Sequence, residues 1–208
     1  MADIFDSWKR ILNKYGENAS FLEQQFVQPN YSFTFDVNYQ QTAGTLGFYW
    51  DDARNRKIRG KDLNILRHVA EDITGVTRTF DGYTRLLMEL PHQHNYVKIF
   101  NTGHIYNVLA PLFRHRIKTG SQAFDHAFIT IAKPATIISK IASQLDYFLD
   151  PDFGGSLALE TDFEHAVSRK FFLHLRVNIL LTEESHIEKL LYHTELLAKK
   201  LNESVSTR

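Results

Sequence analysis

The chain has 208 residues, with 24 Lys and Arg against 24 Asp and Glu, 10 His and no Cys. A formal charge of zero argues against a strongly basic nucleic-acid binder, and the lack of Cys excludes a disulfide framework, an iron–sulfur cluster, a zinc finger and a cysteine nucleophile. This length suits a single domain over residues 1–208, with two subdomains split near residues 103–120 as the alternative.

The N-terminal part of the chain predicts two short amphipathic helices. Asp3 is suited to cap the first helix, whose apolar residues recur at intervals of three and four until Gly16 ends it. Asn18 is suited to cap a second helix that carries Phe21 and that ends before Pro29, because proline disfavours helical geometry in the residue before it. We expect each helix to lay one apolar face on a core.

The following segments predict β-strands. Residues 31–39 and 83–90 alternate between two sets of side chains, as a strand with one face on a core does. Residues 45–50 and 95–100 are shorter stretches that predict two further strands. Residues 62–75 fit either a strand or a helix, and we favour the strand.

The second half of the chain predicts more strands and two more helices. Strands are expected at residues 124–132 and 156–160 and, from the clearest alternation in the chain, within residues 165–181. A helix is expected from Pro134 to about residue 149, since proline is well placed in the first turn of a helix. Thr182 is suited to cap a final helix. The predicted buried stripe of that helix consists of Ile187, Leu190, Leu191, Thr194, Leu197 and Leu201.

The order of these elements predicts the fold class. Strands follow one another without intervening helices over much of the chain, which favours an antiparallel sheet. One-sided alternation along the strands indicates that helices cover one face of that sheet. We therefore predict an α+β fold, a mainly antiparallel sheet with N-terminal, central and C-terminal helices packed on it.

Two runs of basic residues are candidate anion-binding sites. The first run contains Arg54, Arg56, Lys57 and Arg59, and the second contains Arg114, Arg116 and Lys118. With the aromatic residues near them, these side chains could hold phosphate or stack on bases. Aspartates bracket the first run and weaken its field, so a solvated loop is the simpler interpretation. Because the net charge is zero, nucleic acid is not favoured as a partner.

His92 and His94 are weak candidates for metal ligands. A His-x-His pair on a strand places both rings on one face, which is a geometry that can bind a metal ion. Pro91 favours a turn at this point instead, and the sequence identifies no third ligand at a characteristic spacing. We therefore predict neither a metal ion nor another cofactor.

The sequence carries no recognisable catalytic motif. It has no G-x-S-x-G elbow, no phosphate loop and no dinucleotide fingerprint. The leading hypothesis is therefore a non-enzymatic soluble binding or protein-interaction module. The sequence does not identify its partner, and the candidates are another protein and a second copy of the chain. The alternatives are a carrier that holds an apolar small molecule in a cup between sheet and helix, an anion or nucleic-acid binder, and an enzyme whose site assembles only in three dimensions.

The expected compartment is the cytoplasm. The first residues do not resemble a secretory signal, because two aspartates precede the first basic residue and no long apolar run follows. No stretch reaches the length of about 18 apolar residues that a transmembrane helix needs.

Overall fold

The computed structural model describes residues 2–23, 31–50, 82–90, 96–101, 116–149, 157–164 and 171–203. Its helices are α1 (Ala2–Tyr15), α2 (Gln122–Ala127), α3 (Ile137–Leu145), which a 3-10 turn extends over Asp146–Leu149, and α4 (Glu184–Glu203). Its strands are β1 (Gly16–Glu23), β2 (Tyr31–Tyr39), β3 (Thr42–Trp50), β4 (Gly82–Leu90), β5 (Tyr96–Asn101), β6 (Phe128–Lys133), β7 (Leu157–Glu164) and β8 (Phe171–Val177).

The eight strands form one antiparallel sheet in the order β1-β2-β3-β4-β8-β7-β5-β6. Helices from the N-terminus, the centre and the C-terminus of the chain all contribute buried residues to the hydrophobic core that the sheet shares. This arrangement confirms the predicted α+β class. Among the described residues, no helix combines the length and the apolar character needed to cross a membrane.

The segments with the clearest alternation form the strands predicted for them. Phe35 and Val37 of β2 are buried, whereas Asp36 and Asn38 between them are exposed. The predicted strand at residues 83–90 is β4, in which every second side chain is buried. Residues 62–75, which fitted either a strand or a helix, lie outside the described residues.

The C-terminal helix packs as its sequence indicates. All six residues of its predicted stripe are buried in the core. The helix α1 lies next to α4. The Tyr15 hydroxyl donates to Glu188 at 2.9 Å, and Arg10 forms an ion pair with Glu184 at 2.9 Å. Trp8 of α1 is buried and stacks on Phe48 of β3 with ring centroids 4.3 Å apart. The two terminal helices therefore cover the same side of the sheet.

The predicted second helix near residue 18 is wrong. Residues Gly16–Glu23 form β1, the edge strand that pairs with β2. Asn18 has a positive φ of 53°, and the register shifts between Glu17 and Ser20, as at a β-bulge. Asparagine is favoured at helix caps and also at positions with left-handed backbone geometry. Asn18 occupies a left-handed position of this second kind, within the irregular part of the β1 ladder.

The strand predicted at residues 124–132 is correct only in its second half. Residues Gln122–Ala127 form α2, and the strand β6 begins at Phe128. Ser121 caps α2, since its side chain accepts a hydrogen bond from the Phe124 backbone at 3.4 Å. Phe124 lies on α2 and its side chain is buried in the core, so a strand is not needed to bury it.

The strand predicted within residues 165–181 ends earlier than the alternation of its side chains. The strand β8 stops at Val177, and the backbone of the next residues binds a side chain of β4. The Thr84 hydroxyl donates to the Ile179 carbonyl oxygen at 3.0 Å and accepts from the Leu181 backbone N–H at 2.9 Å. The Trp8 indole N–H donates to the Leu181 carbonyl oxygen at 2.8 Å. These hydrogen bonds replace a sheet ladder over residues 179–181.

Candidate ligand-binding face of the sheet

The side of the sheet opposite the hydrophobic core carries a band of charged and aromatic side chains. We call this side the polar face, and its members used below are Tyr49, Tyr83, Arg85, Lys98, Glu160, His174 and Arg176. All seven side chains are half-buried. They belong to five neighbouring strands, β3, β4, β8, β7 and β5, so the band crosses the middle of the sheet.

Two arginines pair directly across the centre of the polar face. Arg85 of β4 and Arg176 of β8 are Cα partners in the antiparallel ladder. Side chains at opposed positions start about 5 Å apart at their Cβ atoms, and like charges there destabilise a sheet. Both residues lie on interior strands, so the backbone of each is paired with a neighbouring strand on either side.

A stack of flat groups fixes the plane of one of these guanidinium groups. Tyr49 and Tyr83 are Cα partners on β3 and β4, and their rings stack with centroids 4.7 Å apart and an interplanar angle of 15°. The Arg176 Cζ atom lies 3.9 Å from the centroid of the Tyr83 ring. Such a cation–π contact is worth about 0.5–2 kcal/mol. The contact places the Arg176 guanidinium, with its planar set of N–H donors, directly against the Tyr83 ring.

The row next to the arginines contains a neutral histidine and an ion pair. His174 of β8 and Glu160 of β7 are Cα partners, and Lys98 of β5 is the partner of Glu160 on its other side. Burial lowers the pKa of His174 to about 4, with a further lowering by Arg85 that Glu160 partly opposes. The Lys98 ammonium lies 3.1 Å from a Glu160 oxygen. At neutral pH this row therefore adds almost no net charge beside the arginines.

Most of the basic residues singled out in the sequence lie outside the described residues. These are Arg54, Arg56, Lys57, Arg59 and Arg114. Arg116 pairs with Ile131 next to the far edge strand, and its guanidinium donates to the Asp125 carbonyl oxygen. Lys118 is exposed beside it. Five strand spacings separate Arg116 from Arg85, roughly 24 Å, so the structure does not bring them into one site.

The candidate metal ligands His92 and His94 also lie outside the described residues. Within the parts of the chain that are described, no group of three or more His, Asp or Glu side chains could hold a metal ion. His174 and Glu160 on the polar face are only two such groups, and Glu160 is already paired with Lys98. The polar face thus combines the guanidinium groups of Arg85 and Arg176 with the Lys98–Glu160 ion pair and the His174 ring.

The sequence contained part of the information needed to find this face. Its alternation placed Tyr83 and Arg85 on one side of a strand, and His174 and Arg176 on one side of another. It did not show that these two strands are neighbours. Comparison of the chain with protein-family models, with curated proteins and with solved structures finds no significant match.

Proposed function

We propose that this protein is a non-enzymatic binding module that holds an anionic ligand on the polar face of its sheet. The proposal rests on the direct pairing of Arg85 with Arg176 in the middle of that face. Opposed like charges cost about 0.2–1 kcal/mol in a sheet. An anion bound between them removes this repulsion and accepts charge-assisted hydrogen bonds from both side chains.

The stack of Tyr49, Tyr83 and Arg176 supports a binding role. The contact with Tyr83 restricts the Arg176 side chain, so less side-chain entropy is lost when an anion binds. The ion pair of Lys98 and Glu160 adds little net charge, so the attraction for an anion comes from the arginine pair.

The titration of His174 supports a non-catalytic role for the same face. A general base is most effective when its pKa lies near the working pH. Burial lowers the pKa of His174 to about 4, so this ring is neutral and only weakly basic at pH 7. It suits a hydrogen bond to a bound ligand better than removal of a proton from it.

The test is a calorimetric titration with inorganic phosphate and with acetate in a buffer of low chloride. We expect the native chain to bind at least one of the two anions and R85Q to bind it about tenfold to a hundredfold more weakly, since a hydrogen bond to a charged group is worth about 1.5–3 kcal/mol. R10Q is the matched control, because it removes the same charge from α1, where Arg10 pairs with Glu184. Its affinity should stay within twofold of the native value.

Three results would contradict the proposal. The first is that the native chain binds neither anion, and the second is that R85Q binds as tightly as R10Q while circular dichroism shows both folded. Turnover of p-nitrophenyl phosphate that R85Q abolishes would refute the non-enzymatic part. If R85Q does not fold, R85K tests the same point, since it keeps the charge but loses the planar fork and should bind with reduced affinity.

A further inference from the structure

A glycine on β3 makes room for a tyrosine hydroxyl beside the arginine pair. Gly47 is the Cα partner of Arg85, and the ring of Tyr49 lies over it. A Cβ added at Gly47 would lie 2.6 Å from the Tyr49 Cε2 atom and 2.8 Å from its hydroxyl oxygen. The hydroxyl therefore occupies the space that a side chain at position 47 would fill, in the same cross-strand row as Arg85 and Arg176.

We infer that the Tyr49 hydroxyl is a third donor of the anion site and that the site selects a tetrahedral oxyanion, phosphate or a phosphate monoester, over a planar carboxylate. This inference depends on the anion binding proposed above. The three donor groups come from β3, β4 and β8, which are spaced about 4.8 Å apart. A phosphate directs its oxygens to several sides at once. The two oxygens of a carboxylate share one plane and are matched by one guanidinium fork.

The stacked rings also argue against a nucleobase as the part of the ligand that is recognised. Single-stranded nucleic acids bind sheets through bases stacked on exposed aromatic faces. Tyr83 is contacted by Tyr49 from β3 and by Arg176 from β8, the two strands that flank its own strand. The Tyr83 ring is thus in contact with protein groups from both neighbouring strands. In the inferred site the ligand contacts the Tyr49 hydroxyl and the N–H groups of the two arginines instead.

The test compares phosphate, methyl phosphate and acetate by calorimetry on the native chain and on Y49F. The variant keeps the ring and its stack and removes only the hydroxyl. We expect phosphate affinity to fall about tenfold, the effect of one hydrogen bond to a charged group. Acetate affinity should change less than twofold. Y192F is the matched control, because Tyr192 is an exposed tyrosine on α4.

A second variant moves the hydroxyl without removing it. G47A adds a Cβ that collides with the far end of the Tyr49 side chain, which can swing away while the backbone stays in place. Its phosphate affinity should fall by a similar factor to that of Y49F, although no charge and no hydroxyl group is lost. Combining both changes should cost little more than either alone, since they remove the same donor.

The outcomes separate this inference from the proposed function. The inference is supported if the native chain binds phosphate and binds acetate at least tenfold more weakly. The affinity for methyl phosphate then shows whether the site also accepts a phosphate monoester. Equal affinities for acetate and phosphate, or native phosphate affinity in Y49F, overturns the inference and leaves anion binding intact. Failure of the native chain to bind any of the three anions overturns both.

Discussion

The Thr84 hydroxyl binds the segment that follows β8, and its removal gives a direct test of the fold. Its side chain is buried on β4, donates to the Ile179 carbonyl oxygen and accepts from the Leu181 N–H. T84V keeps the shape of the side chain but removes both hydrogen bonds. Two backbone groups of residues 179–181 then lose their partner.

The expected cost follows from the burial of those two groups. A buried polar group left without a partner costs about 1–3 kcal/mol. The bond to Leu181 is buried, whereas the bond to Ile179 is only partly buried, so water can replace part of the second. We expect T84V to lower the free energy of unfolding by about 2–4 kcal/mol. For a chain of this size that corresponds to a fall of about 4–16 °C in the melting temperature.

The assay is urea unfolding followed by far-ultraviolet circular dichroism, with T45V as the matched control. Thr45 also carries a hydroxyl on a strand, but it donates to the exposed Asp36 at 3.3 Å, where water replaces the bond. Its change should stay within about 0.5 kcal/mol. Equal midpoints for T84V and T45V would refute the assignment of a structural role to the Thr84 hydroxyl.

A double-mutant cycle extends the same test. Trp8 donates to the carbonyl oxygen of Leu181, the residue whose N–H binds Thr84. W8F and T84V therefore release the same short segment from two sides. Their effects should be non-additive, with a coupling of about 0.5–3 kcal/mol, as expected for residues in one hydrogen-bonded network. Strict additivity would mean that the two hydrogen bonds act independently.

Two further predictions concern the sheet. A Cβ at Gly44 would lie 2.2 Å from the Leu87 carbonyl oxygen, which is a backbone atom. G44A should therefore lower the free energy of unfolding in urea by about 2–3 kcal/mol or more. An unchanged midpoint would contradict the close approach of β3 and β4. The lowered pKa of His174, about 4 in the folded chain, gives a stability contribution that is present above its ordinary value near 6.5 and is lost as the pH falls toward 4. H174Q should therefore lose less stability than the native chain between pH 7 and pH 4, and parallel curves would contradict this.

The elements that sequence predicts correctly are those whose local pattern is set by burial. The strands β2 and β4 and the helix α4 each turn one regular set of side chains toward the core, so the period is visible in a single segment. The edge strand β1 has no such pattern, because its residues from Glu17 to Glu23 are exposed. It is held by backbone hydrogen bonds to β2. Backbone hydrogen bonds do not depend on a regular pattern of apolar side chains, so the sequence of β1 alone does not indicate a strand.

The polar face was only partly predictable for a related reason. Period-two alternation assigns Arg85 and Arg176 each to a face of its own strand, but it does not identify the neighbour of that strand. In the sheet, β4 pairs with β8, which is not next to it in the chain. A slip of two residues in that pairing would keep the faces and place Arg85 opposite His174 or beyond the end of β8.

The register that makes the arginine pair also explains why Thr84 matters beyond stability. Thr84 and Arg85 are successive residues of β4, so their side chains point to opposite faces of the sheet. Thr84 is the Cα partner of Val177, the last residue of β8, and its hydroxyl binds the chain just after that strand ends. This contact on the core side opposes any slip of β8 along β4. It therefore keeps Arg176 opposite Arg85 on the polar face, where the proposed anion site requires both.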